Sequence, residues 1–439
     1  NPKDVFSKKE LKRREEASKS FSEPVIIRTQ EEAEKIEKSK ATKTKTWKFV
    51  AENVRDYAFA TSRKFIFDAM AVNINGKTVM AESLYSKEAN PLYGDHSTRA
   101  VAQTLKTYSK YTFDYPYHKA ISVDGQMGME YPQICFNPGR PDLEDGGYSD
   151  RVKYRMVKVT IHEVGHNFFP MIVNSDERQW TWMDEGLNSY MEMLAELDYD
   201  KDFPIVRGYP KNIVKYMAGD QSKIAPIMSK GDNVYEFGNN AYGKPATALW
   251  ILRETIMGKE LFDHAFKTYS QRWMFKRPSP ADFFRTMEDA SGIDLDWFWR
   301  GWFYTTDVTD IGIKSVKKYS TKEVDDSVEF VEDASEGLGF ASKQNKYHYE
   351  ITYEKPGGLV MPIIVEFTYK DGSKEKKTYP AQIWRYTDDE VTKVFSSTKQ
   401  IASIMIDPDL ETADVDTSNN SFPRQDASKF DQFKEKIKQ

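Results

Sequence analysis

Cysteine is nearly absent from this 439-residue sequence: Cys135 stands alone, and there are only six histidines. A single thiol excludes an internal disulfide and a zinc site built on cysteines, while leaving the compartment open. No apolar run reaches the ~18 residues needed to cross a bilayer, and no charged-then-apolar leader is present, so the chain as given reads as soluble. Neither sign of charge dominates: 63 basic against 68 acidic residues leave a net charge of −5, and neither nucleic acid nor an anionic membrane is expected as the main partner. There is no internal repeat. The chain opens on Asn1-Pro2 and a charged tract without a methionine, from which we expect an upstream domain, and any address label with it, to have been removed.

What is present points to sizeable cores. Residues that are 39% hydrophobic and 14% aromatic argue against disorder, and a length beyond the ~250–300 residues of a single core suggests two or three domains. Residues 1–45, with KKELKRREEA and EEAEKIEKSK, are rich in Lys and Glu and read as a solvated helix or linker. From Thr46 to about Thr305 the pattern is mostly helical. TRAVAQTLKTYSKYTF is an amphipathic helix, and KAISVDGQMGMEYPQICF reads as two short strands joined by a glycine turn, so a small sheet precedes the main helices. Residues 306–424 alternate with period two, with Lys370-Asp371-Gly372-Ser373 as a hairpin turn, which predicts a β-sandwich. Residues 425–439 read as a short exposed tail helix. The fold class expected is therefore α+β. The aromatic run Trp297, Phe298, Trp299, Trp302 and Phe303 reads as core rather than a ligand box.

The chemistry concentrates in MVKVTIHEVGHNFF. His162 and His166 are four residues apart on a helical stretch, so both imidazoles project from one face and reach one ion, while Glu163 beside them can take a proton from a water that the ion activates. A chance HExxH is expected in about one chain in a hundred of this composition, so a third ligand is the deciding observation. Catalytic zinc takes three protein ligands and keeps one position open. TWMDEGLNSYMEMLAE supplies Glu185 as the third ligand. Glu192, two turns further along the same face, is placed to accept the remaining N–H of a ligand histidine. Asp184 reads as a helix cap or as a further acid near the ligands. Gly165 costs its helix about 1 kcal/mol relative to alanine, which suggests close approach by another segment. One zinc ion fits the two-histidine, one-carboxylate set best, although other transition metals share these ligands. His96, His118, His264 and His348 stand alone and read as surface or satisfied histidines.

His162-Glu163-Val164-Gly165-His166, then eighteen residues, then Glu185 within Trp182-Met183-Asp184-Glu185-Gly186, resembles the gluzincin aminopeptidase family, the group of aminopeptidase N and the leukotriene-epoxide hydrolase. The resemblance covers residues 46–305 and implies a thermolysin-like catalytic domain, with the β-rich part similar to the family's small sandwich. It implies that Tyr242, in Tyr242-Gly243-Lys244-Pro245, stabilises the tetrahedral intermediate. It implies also that Glu130, in Met127-Gly128-Met129-Glu130-Tyr131, binds the substrate's free α-amine, with Gly128 and Met129 lining the substrate strand. Met127 and Tyr131 replace the family's leading glycine and closing asparagine, and Asn167 stands where an aromatic residue often follows the second histidine. Neither the family's N-terminal β domain nor its large helical C-terminal domain is read here.

The function expected is a zinc metallopeptidase acting on peptide substrates, an aminopeptidase first of all. A metallo-endopeptidase of related fold, a non-catalytic binding or assembly module and a hydrolase of a non-peptide substrate remain as alternatives. An intact Glu163 counts against the scaffold, which has no physical need of a base.

Overall fold

The structure is a computed structural model that describes residues 2–320, 347–387 and 389–424. It divides into two compact units, Asn1–Tyr209 with Ile227–Leu295, and Pro210–Pro226 with Asp296–Gln439.

The first unit begins with α1 (Lys8–Ala17), β1 (Val25–Arg28) and α2 (Gln30–Lys38). Each helix opens on a reciprocal capping box, Ser7 with Glu10 and Thr29 with Glu32. The strands β2 (Ile66–Ile74) and β3 (Lys77–Tyr85) form a hairpin, turned at Asn75-Gly76 with both residues at positive φ. α3 (Leu92–Tyr111) follows, then β4 (Lys119–Asp124), β5 (Met129–Tyr131) and β6 (Ile134–Asn137). The helices α4 (Asp150–Gly165) and α5 (Leu187–Tyr199) come next. α6 (Pro210–Met217) belongs to the second unit, and α7 (Lys244–Ile251), α8 (Lys259–Trp273) and α9 (Pro280–Ser291) complete the first.

Residues 1–45, expected as a solvated helix or linker, hold the helices α1 and α2 and in addition a strand that joins the sheet. β1 pairs antiparallel with β2, Val25 opposite Ala69, and becomes the edge of a six-stranded sheet of order β1-β2-β3-β4-β6-β5. Ala17 and Ile27 pack in a buried cluster with Phe67 and Ala69. The charges that suggested a solvated tract pair with each other, Arg13 with Glu32 and Arg28 with Glu10, each at 2.6 Å. A four-residue strand needs few apolar side chains to dock on an existing sheet. The two strands expected after α3 are three: β4 runs parallel to β3 and to β6, so a tight turn cannot join β4 to β6, and β5 folds outside β6 as the free edge.

Val101, Leu105 and Tyr108 recur at helical spacing on α3 and are fully buried, as are Val157, Ile161 and Val164 on α4. Between α3 and the sheet runs a buried polar row. Tyr85 Oη donates to Asp68 (2.7 Å), Thr98 donates to the other oxygen of Asp68, Ser83 donates to Ser97 (2.9 Å), Ser97 to Ser122 (3.0 Å), and Asn137 Nδ2 to Ser122 (2.8 Å). Buried hydrogen bonds of this kind fix how a helix sits on a sheet.

The second unit adds α10 (Asp296–Tyr304) and the strands β7 (Gly312–Ser320), β8 (Tyr347–Glu354), β9 (Ile363–Tyr369), β10 (Lys374–Tyr379), β11 (Glu390–Ser397), β12 (Ile401–Ile406) and β13 (Ser421–Phe422). They form two antiparallel sheets, β10-β9-β12-β13 and β11-β8-β7. Phe367 of one stacks on Phe395 of the other with centroids 4.0 Å apart, and Tyr353 meets Tyr379 at 6.1 Å, the packing of a sandwich. Gly372, at φ +83°, turns the hairpin between β9 and β10. The expected domain boundary after residue 305 shifts because α10 buries its aromatic face in this unit: Trp302 Nε1 donates to Met361 Sδ at 3.4 Å. Periodicity locates a helix without showing which core receives it. The expected tail helix at 425–439 lies outside the described residues. Among the described residues, no helix is long and apolar enough to cross a membrane.

Burial pushes the Asp68 carboxyl up to about 6, against the opposing hydrogen bonds from Thr98 and Tyr85. The folded value lies above that of an unfolded aspartate, so the folded state holds the proton more tightly. Its contribution is full below about pH 4 and is lost as pH rises through about 6. Asp68→Asn cannot ionise, and its stability relative to wild type is expected to improve by about 2 kcal/mol between pH 4 and pH 7. Urea denaturation at the two pH values checks this; an unchanged difference would exclude the buried carboxyl as the cause.

Candidate metal centre

Ser149 caps α4 by accepting from Val152 N, and the helix carries its apolar face into the core before ending at His166. Its last turn holds His162, Glu163 and His166, all buried. The two imidazoles meet edge to face with Nε2 atoms 3.1 Å apart. The segment Trp182–Gly186 is a wide π-type turn running into α5, a distortion that often re-aims side chains at functional sites. It brings Glu185 Oε2 to 3.0 Å from His162 Nε2 and 3.4 Å from His166 Nε2. Donors ~2.0–2.1 Å from a tetrahedral zinc lie about 3.3–3.4 Å from each other, so this triangle fits zinc with one position left open.

The outward nitrogens are already engaged. His162 Nδ1 lies 2.6 Å from Glu192 Oε2, and His166 Nδ1 is 2.9 Å from the Phe169 carbonyl oxygen. With Nδ1 donating in each ring, both Nε2 lone pairs point at one place, an arrangement that calls for a cation. Without an ion that cation is a proton: burial works against charge on His162, but Glu192 and Glu185 outweigh it and push the imidazole up to about 9.

Glu192 is fixed in turn by Lys158, which also reaches Glu196 at 3.3 Å. Burial and the Glu192 charge push Glu196 up to about 8. Asp184 caps nothing. Its Oδ1 lies 2.9 Å from His166 Nδ1, off the line taken by the Phe169 carbonyl, and burial followed by the Glu185 charge pushes it up to about 8.

Burial likewise raises Glu163 to about 7, with the two histidines pulling down and Glu130 and Glu185 pushing up. A carboxylate poised there exchanges protons readily at neutral pH. Gly128 faces it so closely that a methyl group would overlap Glu163 Oε1. Glu130, on β5, has a carboxylate oxygen within 4.8 Å of ligand atoms of Glu163 and His166, and Met129 beside it is partly exposed. Asn167 explains its own departure from the family pattern: its Oδ1 accepts from Gln133 N at 2.7 Å and so ties the β5–β6 turn to the end of α4.

Tyr242 stands on a second π-type turn, Gly238–Gly243. Its hydroxyl donates to Glu185 Oε1 at 2.6 Å, its ring lies near-parallel to His162, and the Arg207 guanidinium sits 4.4 Å over the ring. Burial, then the Glu185 charge, raises the phenol well above its ordinary range. The structure therefore brings together eight of the nine residues picked out in the sequence, while Met129, next to Glu130 on β5, lies exposed. It adds Lys158 and Glu196, four residues from His162 and Glu192 respectively, a spacing that could have found them. Arg207, Glu177 and Arg55 come from irregular segments that carried no signal.

Comparison with known proteins places the residues of this site inside a matched family domain. Residues 95–302 match the peptidase family M1 domain. Aminopeptidase 2 of Candida albicans is 22% identical over 224 residues, 48% of this chain and 24% of that protein. Leucine aminopeptidase 2 of Emericella nidulans is 29% identical over 192 residues, 40% of this chain and 30% of that protein. The chain thus spans less than a third of the length of these relatives. The crystal structure of Legionella pneumophila aminopeptidase A in complex with aspartic acid shares the fold at a TM-score of 0.57 and 11% identity, over 80% of this chain and 38% of that one.

Gly165 lets the centre close. A methyl group there would overlap the Tyr108 hydroxyl and Asn188 Oδ1, which bond each other at 2.8 Å while Asn188 Nδ2 donates to the His162 carbonyl at 2.8 Å. Gly165→Ala is expected to cost about 1–3 kcal/mol and to weaken zinc binding about tenfold or more. Gly238→Ala, where a methyl group meets open space, serves as the control. Thermal melts and competition with a chromogenic chelator measure both; equal behaviour of the two variants would refute the packing argument.

Proposed function

We propose that this chain, a gluzincin of the peptidase M1 aminopeptidase group by its domain at residues 95–302, is a zinc aminopeptidase that removes residues from the amino termini of peptides. The observation that carries the reading is the triangle of His162 Nε2, His166 Nε2 and Glu185 Oε2, with sides of 3.0 to 3.4 Å, beside the near-neutral carboxyl of Glu163. His162, His166 and Glu185 would hold one zinc ion, and Glu192 keeps His162 in the tautomer that presents Nε2. When bound, zinc supplies Lewis acidity and brings the deprotonation of water towards pH ~7.

Glu163 takes the proton from the attacking water and delivers it to the departing amine, a role that suits a carboxyl held near neutrality. Tyr242 turns its hydroxyl from Glu185 Oε1 to the oxygen on which negative charge develops, and it does so as a proton donor because its own ionisation is suppressed. Glu130 pairs with the substrate's α-ammonium, which fixes the register of cleavage at the first peptide bond. β5 is a free sheet edge, so the peptide backbone can add to it, with Gly128 clearing the space over Glu163 and Met129 lining the strand.

Paired chromogenic peptides with free and acetylated amino termini test this. Wild type is expected to cut the free peptide only. Glu163→Gln should keep its zinc and lose about 100- to 10,000-fold in kcat. Tyr242→Phe should lose about 100- to 1,000-fold in kcat with zinc retained. Glu130→Ala should raise KM for the free peptide about tenfold or more. Cleavage of both peptides would mean an endopeptidase, and a protein that takes up no metal would end the reading.

A further inference from the structure

Glu130 belongs to two groups of carboxylates. Beside the set with Glu163 and His166, it forms a second with Glu177 and Asp184, whose ligand oxygens also lie within 4.8 Å of one another. Carboxylates gathered this closely repel wherever two of them are ionised, and the chain supplies a cation against Glu177. Arg55 reaches in from an irregular segment and its guanidinium lies 2.7 Å from Glu177 Oε1. The segment between α2 and β2 that bears Arg55 holds no helix or strand over residues 46–65. Near Arg55 it is anchored by Tyr117 Oη donating to the Asn53 carbonyl at 2.7 Å, while Tyr57 and Phe59 are exposed. Both partners of the ion pair remain partly open to solvent, at 27% and 35%, so exchanging one cation for another there costs little.

We propose that Glu177 is a second carboxylate of the ammonium subsite and that Arg55 rests on it as a resident surrogate for the substrate's amino terminus, displaced when substrate binds. This rests on the aminopeptidase reading and adds a residue for specificity together with an internal competitor. A free α-ammonium offers three N–H donors, enough to satisfy Glu130 and Glu177 together, whereas an acetylated terminus offers neither the charge nor the donors. Arg55 therefore sets the affinity that any amino terminus must exceed.

Calorimetric titration of the zinc-loaded full chain with leucinol and with N-acetyl-leucinol tests the assignment without requiring turnover. Leucinol is expected to bind wild type, to bind Arg55→Ala about three- to tenfold tighter, and to bind Glu177→Gln about tenfold or more weaker, with the acetylated compound binding none. Equal leucinol affinity in all three proteins, weaker binding by Arg55→Ala, or equal binding of the acetylated compound overturns the proposal. Should Glu177→Gln melt early, Arg55→Ala, at a partly exposed position, decides it alone. Cleavage of free peptides with unchanged leucinol affinities removes only the roles of Glu177 and Arg55. The expected binding pattern without any cleavage retains the subsite and removes the proposed activity.

Discussion

Two imidazole lone pairs and a carboxylate oxygen face one point inside the protein, and most of the first unit is arranged around keeping them there. Neutral Nε2 atoms 3.1 Å apart repel unless a cation lies between them, and their rings are prevented from turning away because each Nδ1 is already bonded. The centre is therefore strained towards binding a positive ion. Lys158 lies behind Glu192 rather than within the triangle, so it balances the outer carboxylates and leaves the inner ones for the metal.

Holding three donors to within a few tenths of an ångström requires rigid supports, and these come from close backbone packing. α4 meets α3 and α5 at Gly165, where the Tyr108 and Asn188 side chains occupy the space of a side chain. Gly186 plays the same part against the second π-type turn and the start of α7: a methyl group there would come within 3.0 Å of the Ala241 carbonyl oxygen and 2.6 Å of Pro245. Glu185 and Tyr242 thus stand on two turns packed directly against each other, which holds the Tyr242 hydroxyl on Glu185 Oε1. On the opposite side, Asn167 anchors the β5–β6 turn to the end of α4, so the strand carrying Glu130 moves with the helix carrying the histidines. The polar row from Asp68 to Asn137 holds the remaining strands of that sheet against α3.

Some of this is legible in the sequence, and the reason is locality. His162, Glu163 and His166 share one helical turn, and Glu185 and Glu192 share another segment two turns long, so 3.6-residue periodicity alone puts the members of each set on one side of a helix. The alternating strands and the Gly372 turn are local in the same sense. The charged tract at residues 1–45 misled because composition reports an average, while β1 depends on a few residues, Ile27 among them, finding a partner at Ala69 and Asp68 some forty residues away. Asp184 was ambiguous for a related reason: a carboxylate at the start of a helix looks like a cap until the approach of His166 gives it another neighbour.

By itself, the sequence determined the candidate ligand types and their spacing along each helix, the carboxylate of Glu163 beside them, and the α+β class, because these depend on side-chain chemistry and on periodicities that act over a few residues. Only the tertiary structure decided that Glu130, Glu177 and Arg55 meet beside the metal site, that Arg207 lies over Tyr242, and that α6 and α10 join the β-rich unit. Those outcomes rest on irregular segments and on helix faces that could have found other cores. Nothing in the residues nearby specifies them; the burial of distant partners does.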